Sequence, residues 1–288
     1  MGKIAIISTS TGCLDYIDVN HENLRILRMK ILIGEKTFED YIELTSDQFY
    51  DMLISDTSLV PSSSMPSIGE MLEMFTQLEK EGYEEVILIT ISSQLSGTYE
   101  VGLMAQKQYE GKIKIHVLDS RNAAISEGYI SLVALDMVKA GRSSAEIIKS
   151  LEKIRTARKQ YFVVDNLRLF VANGRLSGAS GFVGSMFKIK PILEVNDDGK
   201  IVSLEKIRTS KKALNRIVEI ITEDIEKLDE FLITFDTSTN LEGLKFIKDQ
   251  LEILYPGYKY LEAPITPVVG CHTGVGAVGV AVFDLSVK

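Results

Sequence analysis

The first half of the chain alternates short apolar runs with capped amphipathic segments, and this alternation most limits the folds open to it. Residues 86–91 form a continuous apolar run of strand length, as expected of a strand covered on both faces. Ser67 and Glu70 form a capping box before a helix predicted over 71–80, and Gly82 fits the left-handed stop after it. The pattern predicts a parallel, Rossmann-like sheet with helices on both faces.

The same signals recur along the first half of the chain. They predict further strands at 3–7, 25–33 and 113–118, and further helices at 46–54, 98–109, 123–140 and 144–158. Parallel sheets bind ligands at the carboxyl ends of their strands. The loops 8–12, 92–98 and 119–122 are therefore candidates for a binding site.

After about residue 159 the pattern changes, which predicts a second α/β domain. The apolar stretches 190–195 and 200–207 flank a turn containing Asp198-Gly199, a strong hairpin signal. Further segments predict a helix at 211–228, a strand at 231–235, a helix at 240–254 and two final strands. We therefore predict domains 1–158 and 159–288.

Charge and composition exclude several classes of function. The net charge of −8 over 288 residues argues against general nucleic-acid binding and against a polybasic membrane anchor. Two cysteines and three histidines show no metal-ligand spacing. The apolar run near the N-terminus is too short for a signal peptide, and no stretch approaches the length of a membrane span. We expect a soluble cytoplasmic protein without a metal.

A glycine-rich stretch near the C-terminus contains Gly274-x-Gly276-x-x-Gly279, the spacing of a dinucleotide fingerprint. That fingerprint must open a helix, whereas the residues after Gly279 have the character of a strand. The stretch is better interpreted as a loop in which backbone closely approaches a ligand or another segment. His272 and Thr273 lie in it, either as structural residues or as ligand contacts.

The loop 92–98 is predicted to precede a helix. The free N–H groups and the dipole of a helix start favour an anion, and Ser93, Ser96 and Thr98 add hydroxyl donors. Ordinary N-capping by Ser96 is the structural alternative.

Two further hypotheses concern serines. Residues 62–67 are serine-rich and are interpreted as a polar connector before a capped helix. Ser93 or Ser96 with His272 could form a nucleophile–base pair, which would make the protein a serine hydrolase or acyltransferase. The sequence contains neither a Gly-x-Ser-x-Gly elbow nor a P-loop.

Six short motifs follow one another in a fixed order along nearly the whole chain. Ser-Ser-x-Leu-Ser-Gly-Thr occurs at 92–98 and Ile-Lys-Pro-Ile-Leu at 189–193. Four others occur in altered form, at 8–11, 63–67, 173–177 and 270–276. In these motifs the chain resembles the DegV family of fatty-acid-binding proteins. It departs from the family at Thr9, Cys13, Ser63, Met65 and Val275.

The resemblance implies two α/β domains (the family's EDD fold) with a long-chain fatty acid bound between them. Its carboxylate would meet Ser63, the 92–98 loop and the His272 loop. The contact residues from these segments are Ser63, Ser93, Ser96, Gly97, Thr98, His272 and Thr273.

The resemblance also implies a partner protein that carries the enzymatic activity. Family members hand the fatty acid to a separate ATP-dependent fatty acid kinase, which makes an acyl phosphate for phospholipid synthesis. The chain itself would then carry no catalytic residue and no cofactor beyond the bound fatty acid, and would contact a membrane surface at most transiently. The small, apolar segment 177–187 is the candidate for lining the tail or gating the pocket. Candidates for tail, gate or partner contacts are Arg175, Phe182, Met186 and Ile192.

Overall fold

The computed structural model describes residues 2–177 and 189–287. The first part forms β1 (Ile4–Thr9), β2 (Leu24–Leu27), β3 (Lys30–Ile33), β4 (Lys36–Glu39), α1 (Ser46–Ser55), β5 (Ser62–Ser64), α2 (Ile68–Lys80), β6 (Glu85–Thr90), α3 (Thr98–Gln108), β7 (Lys114–Asp119), α4 (Ile125–Lys139) and α5 (Ser144–Ile154). The second part forms β8 (Arg158–Val163), α6 (Arg168–Ala172), β9 (Ile192–Val195), β10 (Ile201–Glu205), α7 (Ser210–Ile225), β11 (Phe231–Thr237), α8 (Leu241–Leu254), β12 (Tyr260–Pro264), α9 (Pro267–Thr273) and β13 (Val278–Asp284).

The predicted parallel sheet is present, with four strands in the order β2-β1-β6-β7. Ile87 and Ile89 of β6 pack into the core beneath α4 and α5. Val86 and Leu88 point the other way and pack against α2 and α3. Because successive side chains of a strand face opposite sides, a strand covered on both faces is apolar throughout.

The predicted helix starts are confirmed at three capping boxes, at Thr45, Ser67 and Ser143. At the second box, Ser67 Oγ accepts from the N–H of Glu70 at 3.2 Å. The Glu70 carboxylate accepts from the N–H of Ser67 at 2.7 Å. Gly82 follows α2 with φ +84°, the predicted left-handed stop.

The second part is built on a six-stranded mixed sheet of order β10-β9-β8-β13-β11-β12. Helices α7 and α8 cover one face, where their apolar residues pack against β8, β11 and β13. The predicted hairpin is β9 and β10, paired antiparallel from Val195 to Ile201. Gly199 in its turn has φ +85°, a conformation that glycine adopts without strain.

Helix α4 lies between the two sheets. Ile130 and Ala134 pack with Ile6 of the parallel sheet, and the same core contains Phe283 of β13. The rings of Tyr129 and Phe283 are 4.6 Å apart between centroids. One helix therefore completes the cores of both sheets.

The prediction of a single strand over 25–33 is wrong. β2 ends at Leu27, and β3 begins a separate three-stranded sheet of order β4-β3-β5. The chain is held at the break because Arg28 forms an ion pair with Asp15 and the N–H of Met29 donates to Ser10 Oγ at 3.1 Å.

The interpretation of 62–67 as a connector is also corrected. Ser62–Ser64 forms β5, the edge strand that pairs with β3 through Ser63 and Ile31. Three consecutive serines carry no apolar alternation, so the pairing depends on a neighbour that local sequence does not reveal.

The turn of the β9–β10 hairpin rests on loops at the carboxyl edge of the parallel sheet. Ser92 Oγ donates to the carbonyl of Gly199 at 2.8 Å. The buried Arg158 guanidinium donates to Asn122 Oδ1 at 2.7 Å and to the carbonyl of Val195 at 2.6 Å. The proposed domain boundary at 158/159 falls at the start of β8 and remains a prediction.

Candidate functional site

A serine–histidine pair lies where β5 meets the end of α9. Ser63 Oγ and His272 Nε2 are 2.9 Å apart. Helix α9 begins with Pro267 at its first position, which suits proline because that N–H has no helical partner. His272 therefore lies in the last turn of a short helix, not in the loop predicted for it.

Asn173, just after α6, holds the two halves of this pair together. Its Nδ2 donates to the carbonyl of Pro61, before β5, at 3.1 Å, and to that of Cys271 at 2.9 Å. The side chains of Ser63 and His272 are thus positioned by three separate segments of the chain.

His272 is neutral at physiological pH. Burial, and then the positive charge of Arg175, lower its pKa to about 4. Its Nδ1 has no hydrogen-bond partner within residues 2–177 and 189–287. A Ser-His-Asp triad needs a carboxylate at that nitrogen to fix the tautomer, so the described residues do not form one.

The 92–98 loop contributes Ser96 and Gly97 to the same site. Ser96 Oγ is 2.8 Å from Thr98 Oγ1 and accepts from the N–H of Thr98 at 3.4 Å. The alternative of N-capping by Ser96 is wrong, because the N-cap residue of α3 is Gly97. Met65 lies against Gly97, since a Cβ there would be 3.1 Å from its Sδ.

Arg175 lies at the outer edge of the site with an exposed side chain. Its Nε donates to the carbonyl of Leu95 at 2.8 Å and its Nη1 to that of Asn173 at 2.7 Å. The guanidinium therefore links the end of α6 to the 92–98 loop. Both of these partners are backbone carbonyls and not acidic side chains, so its positive charge is available to a ligand or partner.

These groups surround the mouth of a cavity of about 250 Å³ between the parallel sheet and the six-stranded sheet. Its walls are mostly apolar and come from Met29, Ile91, Leu95, Phe162, Phe170, Val195, Ile201, Ile265, Val268 and Val269. A pocket of this kind, apolar with a few polar groups at fixed places, is typical of small-molecule sites. This lining suits a ligand with a long apolar part and a polar end at the mouth.

The inner end of the cavity is polar. Thr11, Gln160 and Asp236 line it, and all three are buried. Behind Thr11 lies Glu127, whose carboxyl group accepts hydrogen bonds from Thr9 and, at 2.7 Å, from Thr11. Burial raises the pKa of Asp236 to about 7 and that of Glu127 to about 8. These carboxyl groups hold protons at a pH where exposed ones are charged.

We expect the protein to be less stable at pH 8 than at pH 6.5. Burial also raises the pKa of Asp40 to about 7, so this group resembles Asp236 and Glu127. A carboxyl group whose pKa is higher in the folded than in the unfolded protein contributes its full stabilisation at pH values below the unfolded-state pKa, near 4. This stabilisation is lost as the pH rises through the folded-state pKa values of 7 to 8. The pKa of His272 is lowered, so its contribution to stability has the opposite pH dependence, but that contribution changes mainly at pH values below the usual histidine pKa of 6.5. Urea unfolding at the two pH values should differ by about 1–2 kcal/mol.

The variant Asp236→Asn should flatten this pH dependence because one of the three carboxyl groups is gone. A free energy of unfolding that is constant or rises from pH 6.5 to pH 8 would contradict the assignment.

Five of the seven predicted carboxylate contacts line the cavity: Ser63, Ser96, Gly97, His272 and Thr273. Ser93 does not, because its Oγ donates to Asp119 at 2.7 Å. Thr98 does not either, because it is fully buried behind Ser96 with its Oγ1 near Met29. The serine beside His272 is therefore Ser63, and neither serine of the predicted nucleophile–base pair hydrogen-bonds to it.

The four residues predicted for tail, gate or partner contacts have different outcomes. Arg175 lines the cavity. Ile192 does not: strand alternation turns it to the other face of the sheet, where it packs beneath α7, and Val195 of the same strand lines the cavity instead. Phe182 and Met186 lie outside the described residues, as does most of the 177–187 segment.

Of the polar residues at the inner end, Thr11 lies in the candidate loop 8–12, whereas Gln160 and Asp236 were not predicted. Asp236 interrupts the apolar sequence of β11, which is a usable signal, since buried polar groups require partners. Gln160 follows Arg158 and Lys159 at the start of β8, so the sequence there gives no such signal. Across residues 2–177 and 189–287, no group of three or more His, Cys, Asp or Glu side chains is placed to hold a metal.

No helix among the described residues is both long and apolar enough to cross a membrane.

Comparison with known proteins places the chain among relatives of matching length. The family model described as "Uncharacterised protein, DegV family" matches residues 3–285. The protein DegV of Bacillus subtilis is 34% identical over 280 residues, covering 96% of this chain and 98% of its own.

Two solved structures share the fold. The crystal structure of DegV, a fatty acid binding protein from Bacillus subtilis, superimposes with a TM-score of 0.88 at 32% identity, covering 99% of this chain and 100% of that one. The Streptococcus pneumoniae fatty acid kinase (Fak) B3 protein loaded with linoleic acid superimposes with a TM-score of 0.85 at 21% identity, covering 98% and 99%. These likenesses confirm the predicted fold of two α/β domains.

Proposed function

This chain belongs to the DegV family, and from that membership and its cavity we propose that it binds a long-chain fatty acid between its two sheets. The fatty-acid-binding relative from Bacillus subtilis covers almost the whole chain. The cavity has mostly apolar walls and a polar mouth. The ligand that fits both parts is a long apolar chain ending in a carboxylate.

The observation that carries the proposal is the Ser63–His272 pair at the mouth of the cavity. A carboxylate that leaves water must receive hydrogen bonds, because an unpaired buried charge is very costly. Ser63 and Ser96 offer hydroxyl donors there, and the start of α3 adds the positive end of its dipole. A carboxylate beside His272 would also favour the imidazolium and raise the pKa that burial lowers.

The apolar walls would supply most of the affinity. Each buried methylene contributes roughly 0.8 kcal/mol. A tail of about fourteen methylenes therefore has a gross transfer term above ~10 kcal/mol, from which the cost of association is subtracted. The tail would set the strength of binding, and the Ser63–His272 pair would set the orientation of the ligand in the cavity.

The chain would act as a carrier that presents the carboxylate to a separate ATP-dependent fatty acid kinase. Arg175 supports this assignment, since its exposed guanidinium lies beside the carboxylate end. A cation there suits a contact with a phosphorylated or acidic partner surface. The described residues offer no triad for chemistry of their own, so phosphoryl transfer is assigned to the kinase.

We expect Ser63→Ala and His272→Gln each to weaken oleate and palmitate binding by about tenfold or more. The loss of a hydrogen bond to a charged group costs about 1.5–3 kcal/mol, and 1.4 kcal/mol is tenfold in affinity. Isothermal titration calorimetry on delipidated protein measures the change. Mass spectrometry of gently purified wild-type protein should show one fatty acid per chain.

The matched control is His116→Gln, which changes a histidine bonded to Glu85 far from the cavity and should leave affinity unchanged. Unchanged affinity in both site variants would contradict the proposed carboxylate site.

The carrier role has its own test. Incubating the fatty-acid-loaded protein with a fatty acid kinase and ATP should yield an acyl phosphate. A bound fatty acid that stays unmodified would contradict the carrier role. Labelling of Ser63 by a fluorophosphonate probe would instead indicate a hydrolase.

A further inference from the structure

The inner end of the cavity holds two buried polar groups that no described residue satisfies. Asp236 is 6% exposed, and burial is the sole cause of its raised pKa, with no hydrogen bond contributing. Gln160 is 5% exposed, and its Oε1 has no partner within the described ranges. Both side chains line the cavity.

The sheet places these two side chains on one face. Asp236 of β11 is paired with Gly279 of β13, and Gly279 with Phe162 of β8. Gln160 lies two residues before Phe162 on β8, and therefore on the same face of the sheet. A Cβ at Gly279 would be 2.3 Å from Asp236 Oδ1, so the carboxyl group occupies the space that a side chain there would fill.

The orientation of Gln160 is fixed by its other end. Its Nε2 donates to the carbonyl of Ala123 at 3.1 Å, so Oε1 is the atom left as an acceptor. Burial raises the pKa of Asp236 to about 7, and in its protonated form this carboxyl group has both a donor and an acceptor to offer. Together the two side chains are complementary to a ligand group that can donate one hydrogen bond and accept another.

A plain hydrocarbon tail would leave this pair unsatisfied. A buried polar group without a partner destabilises the complex, and an all-methylene chain provides no partner. Folded proteins place buried polar groups against a complementary group or an ordered water.

We propose that the inner end of the cavity binds a hydroxyl group on the tail of the ligand, so that the preferred ligand is a hydroxy fatty acid. This inference depends on the proposed fatty-acid binding and adds the ligand class to it. The ligand hydroxyl donates to Gln160 Oε1 and accepts from the Asp236 carboxyl. The carboxylate is held at the same time at the Ser63–His272 end.

The test compares ligands that differ by one hydroxyl. Delipidated protein is titrated by calorimetry with ricinoleate against oleate, and with ω-hydroxypalmitate against palmitate. We expect at least one hydroxylated ligand to bind about tenfold or more tightly than its plain counterpart, because a site built for a hydroxyl rejects the analogue that lacks it.

Two variants connect the preference to the named atoms. In Asp236→Leu and Gln160→Met the preference should vanish or invert, with plain fatty acids bound at least as tightly as in wild type. Thermal unfolding checks that each variant is folded, and the use of two variants keeps the test valid if one of them misfolds. We expect both to fold, because removing an unsatisfied buried polar group is neutral or stabilising.

The outcomes distinguish a failure of this inference from a failure of the proposed fatty-acid binding. Plain and hydroxylated ligands of equal affinity in wild type would overturn the inference and leave fatty-acid binding intact, with a bound water as the occupant of the inner end. A preference that survives in both variants would also overturn it. If none of the four ligands bound, the proposed function would fail together with the inference.

Discussion

Replacing Gly128 by alanine should destabilise the protein by about 3 kcal/mol or more. Gly128 lies in α4 against the turn that follows β1, and an added Cβ would be 2.1 Å from the carbonyl oxygen of Gly12. That oxygen belongs to backbone in a fully buried turn, so it cannot swing aside as a long side chain would. Overpacking of a rigid interior forces backbone shifts that typically cost about 1–3 kcal/mol, and a clash with backbone falls at or above the top of that range. Urea unfolding followed by circular dichroism measures the loss.

The control is the same substitution at Gly69, which is also helical. Its nearest neighbour to an added Cβ is Ser67 Oγ at 3.8 Å, an ordinary contact. Alanine loses less conformational freedom than glycine on folding, so Gly69→Ala should stabilise the protein by about 0.5–1 kcal/mol. Effects of equal sign and size at the two positions would show that α4 does not pack against the turn as described.

Replacing Arg158 by methionine should cost about 3–5 kcal/mol. The residue is 3% exposed, and besides its bonds to Asn122 and Val195 its guanidinium donates to the carbonyls of Arg121 and Asn196. Burial lowers its pKa to about 10, so it remains charged at neutral pH. Methionine fills similar space but leaves these buried acceptors without a donor, each at a substantial desolvation cost.

Arg216 provides the comparison, since its side chain is 32% exposed and contacts Glu205, Glu219 and Glu223. Exposed ion pairs contribute at most about 1 kcal/mol, because water solvates the separated charges well. Arg216→Met should therefore cost much less than Arg158→Met in the same unfolding assay. The reverse order would mean that Arg158 is not the link between the hairpin and the 119–122 loop.

Much of the fold could be predicted because its signals are local. A capping box such as Ser67–Glu70 satisfies backbone donors within one turn, so sequence alone locates the helix start. The apolar run of β6 and the turn at Gly199 are equally local. The break between β2 and β3 is different, because it depends on Asp15 and Ser10, which are distant in sequence.

The candidate site was predictable to the extent that its residues belong to motifs. Ser63 and His272 were expected to contact the same carboxylate, and the structure places them within hydrogen-bond distance of each other. Ser93 and Thr98 share a motif with Ser96 and Gly97, but a loop seven residues long cannot direct every side chain to one cavity. Their partners, Asp119 and Met29, come from other parts of the sheet edge.

Helix α4 has a consequence for how the molecule unfolds. It is buried by the parallel sheet on one side and by β11 and β13 on the other. Separating the sheets would expose one side of this helix to water, so neither half reaches its full stability alone. Heating should accordingly produce a single cooperative transition, with both halves melting together as in a single-domain protein.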